Sequence, residues 1–112
     1  MSLQLKAVSP AALGLGNNND YAGLGNASFA RLSTNAGGST LTGATGGTDG
    51  RFLIILNLTA GALTINHQDA NSAAANQFFT STGIAIVLAQ DDTALFVYDA
   101  TTTKWRQITG VV

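Results

Sequence analysis

The chain has 112 residues, six Asp, no Glu, five Lys or Arg and a formal net charge of −1. That length fits one domain with a modest core, and 46% apolar content excludes a disordered chain. A near-neutral balance argues against nucleic-acid binding, which needs a basic face. Charged residues make up 10%, far below the roughly 25% of an average globular protein, so other chains are expected to cover part of the surface. There is no Cys, hence no disulfide framework or thiolate site. No run approaches the ~20 apolar residues that span a bilayer. Met1 to Lys6 lacks the apolar centre of a leader, so a product made and used without secretion is expected.

Ten of the 13 Gly lie in the first 50 residues. The first part therefore reads as irregular and the second as strand-rich. Leu3, Leu5, Ala7 and Val8, closed by Pro10, predict an extended N-terminal segment over 1–16, either an arm suited to lie on a neighbouring subunit or a frayed terminus. The remainder, 17–112, is expected to be one β-domain. Gly14 to Asn26 is loop material, with Tyr21 plugging it onto the core. Ser28–Thr34 and Ser39–Thr42 read as strands around a turn at Asn35–Gly38.

Asp49–Leu58 is the longest apolar run. Along a strand Phe52, Ile54, Leu56 and Leu58 share one face, and Leu53, Ile55 and Asn57 share the other. Both faces are mostly apolar, which predicts a central strand covered on both sides. Thr59-Ala60-Gly61 predicts a hairpin into Ala62–His67. The polar stretch 68–76 has room for one helical turn at its alanines. Gln77–Thr80, Ile84–Leu88 and Thr93–Tyr98 read as strands, and 99–104 as a hairpin loop into Trp105–Thr109. Seven to nine short strands at this spacing, with no long amphipathic helix, predict an all-β fold. The expected form is an antiparallel β-sandwich or small β-barrel, and no repeat of fixed period is visible.

Chemistry-bearing residues are sparse. His67 is the only His, too few for a zinc site, and reads as structural. Asp91 and Asp92 are adjacent and diverge in a turn. Asp20 with Asp49 is a remote candidate for the paired carboxyls of a glycosidase. The Gly clusters match no phosphate-binding pattern. Asn17 to Asp20 offers oxygens, yet lacks the spacing and the bidentate Glu of a Ca²⁺ loop. Asn57-Leu58-Thr59 and Asn26-Ala27-Ser28 fit the glycosylation pattern, without functional weight here. Trp105 with Arg106, near Tyr98, suits packing or a subunit contact, and otherwise sugar stacking. No catalytic set, cofactor or metal is expected. Subunit or partner contacts are expected at Leu3, Leu5, Val8, Tyr98, Trp105 and Arg106.

One ordered series of short segments remains. It runs Asn19-Asp20-Tyr21, Leu41-Thr42-Gly43, Gly46-Gly47-Thr48-Asp49-Gly50-Arg51, Asn57-Leu58 and Gly61-Ala62-Leu63-Thr64-Ile65. It continues with His67, Asn71 to Phe78, Thr82-Gly83, Val97-Tyr98-Asp99 and Lys104-Trp105-Arg106. Together these resemble a β-rich module of structural proteins of tailed bacteriophages, over roughly 17–108. Gln77 departs from it, where an Arg is expected before the Phe. The resemblance implies a virion protein assembled in the host cytoplasm, usually a homotrimer. A capsid decoration (cement) protein seated on the major capsid protein is the preferred expectation. A tail-fibre or baseplate module binding host glycans is the alternative, and a small glycan-cleaving enzyme is a distant third. No nucleic-acid or membrane partner is expected.

Overall fold

The structure, a computed structural model, describes residues 2–109. Over them the chain is all-β, with ten strands and one short 3₁₀ turn, in two sheets. The strands are β1 (Ala7–Val8), β2 (Gly16–Asn18), β3 (Phe29–Leu32), β4 (Ser39–Leu41), β5 (Phe52–Asn57), β6 (Leu63–Ile65), β7 (Phe78–Phe79), β8 (Ile86–Leu88), β9 (Thr93–Asp99) and β10 (Lys104–Gln107). The six-stranded sheet has the order β1-β3-β5-β9-β10-β7, and the four-stranded sheet β2-β4-β6-β8.

From β1 to β6 the chain alternates between the sheets. Successive strands in each sheet pair in parallel, β1 with β3 with β5 and β2 with β4 with β6. Three coils thus stack in a β-solenoid-like arrangement. This corrects the expected antiparallel sandwich or barrel. The turns at 35–38 and 59–61 are corners that pass the chain to the other sheet, not hairpins within one. Gly and Asn serve both purposes, so turn chemistry alone does not distinguish them. The coil length varies, which hides the repeat: Ala7 pairs with Phe29, Phe29 with Ile54, Gly16 with Ser39 and Ser39 with Leu63, steps of 22, 25, 23 and 24 residues.

After β6 antiparallel pairs enter both sheets. β8 runs antiparallel to β6, and β9 antiparallel to β5, while β7 runs parallel to β10. The hairpin expected at 99–104 forms, joining β9 to β10. The helical turn expected at the alanines is the 3₁₀ turn Ala74–Asn76. Tyr21 packs against the core as expected and bridges Ala44.

The core lies between the sheets. Ala30, Leu32, Leu53, Ile55, Leu63, Ile65, Phe78, Phe96 and Trp105 are fully buried. β5 is central, as expected, but it is not covered on both sides in the single chain. Leu53, Ile55 and Asn57 face inward at 0% exposure, while Phe52 is 46% and Leu58 39% exposed. A coil has one inside, and a strand's alternate residues necessarily face out of it.

Residues 2–16 are partly built into this body. Val8 packs on the core, Leu13 is buried and Gly16 opens β2, whereas Leu3 is 87% exposed.

Candidate functional site

The outer face of the six-stranded sheet gathers large apolar side chains in registered rows. One row runs Ala7, Phe29, Ile54, Leu95. The next runs Phe52, Val97, Arg106, Phe79. A third holds Arg31, Leu56 and Thr93. Phe52 is exposed, and Phe29, Ile54, Leu56, Leu95, Val97 and Phe79 are half-buried against one another. Ile108, 38% exposed, extends the first row through its N–H to the Leu95 carbonyl at 2.8 Å.

Arg31 and Arg106 lie flat on this face, and Lys104, registered opposite Asp99, shares it. Arg31 stands 4.9 Å from the Phe29 ring centroid and Arg106 4.4 Å from that of Phe79. Each guanidinium also donates to a nearby hydroxyl, Arg31 to Ser9 at 3.2 Å and Arg106 to Thr102 at 3.5 Å. Stacking holds these guanidinium groups over apolar surface. The result is an apolar floor with two stacked arginines and a lysine and an aspartate at one end.

The expected contact residues divide between inside and outside. Trp105 is fully buried, donating Nε1–H to the Ala44 carbonyl at 3.0 Å. Tyr98 meets it edge-on, with ring centroids 5.2 Å apart, and donates its hydroxyl to the Ala75 carbonyl at 2.7 Å. Burial, and after it the Asp99 charge, raises the Tyr98 pKa. Both rings are core pieces and present no face to a partner. Arg106 lies on the outer face, Leu5 is half-buried, and Leu3 and Val8 sit as described above.

Arg51, not singled out by the sequence, clasps the loops beneath. Its guanidinium donates to the carbonyls of Gly46 at 2.8 Å, Gly25 at 3.0 Å and Ala27 at 2.5 Å, and it lies 5.7 Å from the Trp105 ring. Burial lowers its pKa. The signal was its place after Asp49-Gly50, at the mouth of the central strand.

The remaining polar candidates are bonded within the fold, some to their own turns and some to loops far along the chain. Asp20 Oδ1 accepts from Asn76 Nδ2 at 2.9 Å and the Ala73 N–H at 2.8 Å, and these bonds hold its pKa down. Asp49 accepts from the Ala100 N–H, and Asp92 from the Ala89 N–H, each at 3.0 Å. Asn19 Oδ1 accepts from Thr42, and Asn18 Oδ1 from the Gly14 N–H. His67 Nδ1 takes the Thr80 N–H at 3.1 Å, and the ring packs edge-on to Phe79. Among the described residues no three or more His, Asp or Glu converge on a point that would hold a metal ion. A shallow depression of about 310 Å³ on the other sheet is lined by Leu15, Gly16, Gly37, Gly38, Ser39, Thr40, Ala62 and Thr64, with no titratable group.

No protein-family model, no curated protein and no solved structure matches the chain.

Proposed function

We propose that the chain is a non-enzymatic virion structural protein, a homotrimeric capsid decoration protein that stabilises the head shell by binding it. The observation that carries this reading is the Phe- and Ile-lined outer face of the six-stranded sheet. A low-charge chain that leaves such a face open in the single copy gains most by burying it against protein. The bacteriophage resemblance supplies the context, a trimer seated on the major capsid protein. In that setting the mechanism is linkage. A protein that binds only the intact shell stabilises it by RT ln(1 + [L]/Kd), about 2.7 kcal/mol at a hundredfold excess over Kd.

Two measurements test it. Light scattering with in-line mass determination is expected to return three times the chain mass. Particles with and without the protein are then heated, and those lacking it are expected to release DNA at the lower temperature. Equal release temperatures would rule out cementing.

A glycan-binding tail module is the second reading. The inward rings of Trp105 and Tyr98 give it no platform, but Phe79 under Arg106 is an aromatic-plus-cation pair at the surface. Binding to host glycans that disappears in Phe79→Ala would move the choice to this reading.

A further inference from the structure

We infer that the copies meet head-to-tail: the shoulder formed by Ile84, β8 and the Asp91-Asp92 turn of one copy docks on the Phe/Arg face of the next. This rests on the self-assembly reading above and names its two surfaces.

The shoulder holds the most exposed large apolar side chains after Leu3 and Leu15, namely Ile84 at 68% and Val87 at 61%. It is also a sheet margin, because β8 ends the four-stranded order and pairs with β6 alone. Folded monomers blunt such margins with Lys, Pro or a covering loop. The segment 84–92 (Ile-Ala-Ile-Val-Leu-Ala-Gln-Asp-Asp) has neither Lys nor Pro. Its exposed apolar residues run straight into two exposed carboxylates, Asp91 and Asp92.

Charge favours one pairing. The sheet face is apolar with Arg31, Lys104 and Arg106 and one carboxylate, Asp99, which is bonded within its own hairpin to Thr101 and Thr102; the shoulder is apolar with Asp91 and Asp92. A two-fold contact would set the same patch against itself, bringing three cations but only one carboxylate from each copy into one apolar interface. A head-to-tail contact sets this net-positive face against two aspartates, and when its rotation closes it makes a ring.

One contact by itself is small. The six strands hold 25 residues between them, which at ~3.3 Å rise and ~4.8 Å spacing gives a footprint of roughly 400 Å². That is about half the ~800 Å² per partner of a standard stable interface. Each copy in a ring makes two such contacts, one through its face and one through its shoulder, so closure and not a single contact holds the assembly.

The absence of Cys makes the test direct. Phe52→Cys and Val87→Cys are made singly and together, and treated with a short bis-maleimide. Mixing the two single variants is expected to give a covalent dimer containing one of each, and the double variant a covalent trimer. Neither single variant alone is expected to crosslink. Ile54→Cys with Ile84→Cys repeats the test should the first pair disturb folding. Phe52→Cys crosslinking to itself would overturn the inference in favour of a two-fold contact. A threefold mass with no crosslink in either pair would overturn these surfaces while leaving self-assembly standing. A single-chain mass that persists as concentration is raised would overturn both.

Discussion

Changing Asn57 to Asp replaces one atom and tests the whole inner corner of the coil. Asn57 is 0% exposed. Its Nδ2 donates to the Gly61 carbonyl at 3.0 Å and the Leu88 carbonyl at 2.9 Å, and its Oδ1 accepts the Thr59 N–H at 3.1 Å. These bonds tie the end of β5 to the corner leading to β6 and to the edge strand β8. In Asn57→Asp the acceptor toward Thr59 survives, but two carbonyl oxygens now face a carboxyl group. Ionised, it would be a buried charge among acceptors, so it stays protonated.

Holding an Asp protonated at pH 7, about three units above its free value of ~3.9, costs about 4 kcal/mol. At pH 5 the same cost is about 1.5 kcal/mol. The folded pKa is raised in this variant, so its stability is recovered as pH falls. Against a total of roughly 5–15 kcal/mol, the pH 7 loss removes a large share of the fold. Urea unfolding of wild type and variant at pH 5 and pH 7 measures both figures. Asn57→Leu loses all three bonds without adding a titrating group and is expected to show a loss that does not change with pH. A variant as stable as wild type at pH 7, with no pH dependence of the difference, would mean that Asn57 does not sit in a dry, fully bonded corner.

Trp105→Ala empties the largest buried side chain and is expected to lower stability by about 3–5 kcal/mol, whereas Trp105→Phe loses chiefly the bond to Ala44 and is expected to cost about 1–3 kcal/mol; thermal melts of both rank them. Gly61→Ala is expected to destabilise more than a surface substitution, because a Cβ there would overlap the Asn35 carbonyl oxygen and crowd Thr34, and the same melts show it. In wild type the carboxyls of Asp20, Asp69 and Asp99 are held below their ordinary value of 3.8, chiefly by side-chain bonds from Asn76, Asn66 and Thr102. Their contribution is therefore full above that value and is lost as pH falls through the lowered values, so acid unfolding is expected to set in below about pH 4, with a shallower slope in Asp20→Asn. Phe52→Ser changes an exposed position and is expected to lower the mass in solution toward one chain, while at a dilution where wild type is also a single chain the unfolding free energies agree within about 0.5 kcal/mol.

Strands were legible where apolar residues alternate, and the alternation even divided β5 correctly into two faces. Which face points inward was not, because Phe52, Ile54, Leu56 and Leu58 are as apolar as Leu53 and Ile55. Asn57 carried the missing signal. A lone polar residue that ends an apolar face just before Thr59 and Gly61 suits a corner whose backbone must be bonded from inside. Trp105 was legible in the same way: Lys104 and Arg106 flank it, so the charged pair faces out and the indole in. The coil was not legible, since parallel pairing between β1, β3 and β5 is set by residues 22–25 apart with unequal loops between them. The outer face depends on that register. Phe29, Phe52, Leu95 and Phe79 come from four separate strands and share no local pattern.

The open face is a matter of composition, not of loose packing. A folded monomer of 11.4 kDa is expected to expose about 5,800 Å², and this chain exposes 5798 Å². The chain is therefore as compact as its mass requires, yet it places Phe52, Val87 and Ile84 outside. Phe52, 46% exposed, presents roughly 90 Å² of a ring worth about 200 Å², or about 2 kcal/mol on burial. A few such side chains per contact reach the lower end of the ~4–15 kcal/mol that association costs. A single contact of this size would be weak, and closing a ring lets two contacts per copy share the loss of freedom. Mass in solution is therefore expected to step from one chain to a closed ring as concentration rises, with little two-chain species between. A dominant, stable dimer across that range would show that one contact suffices and that the ring is wrong.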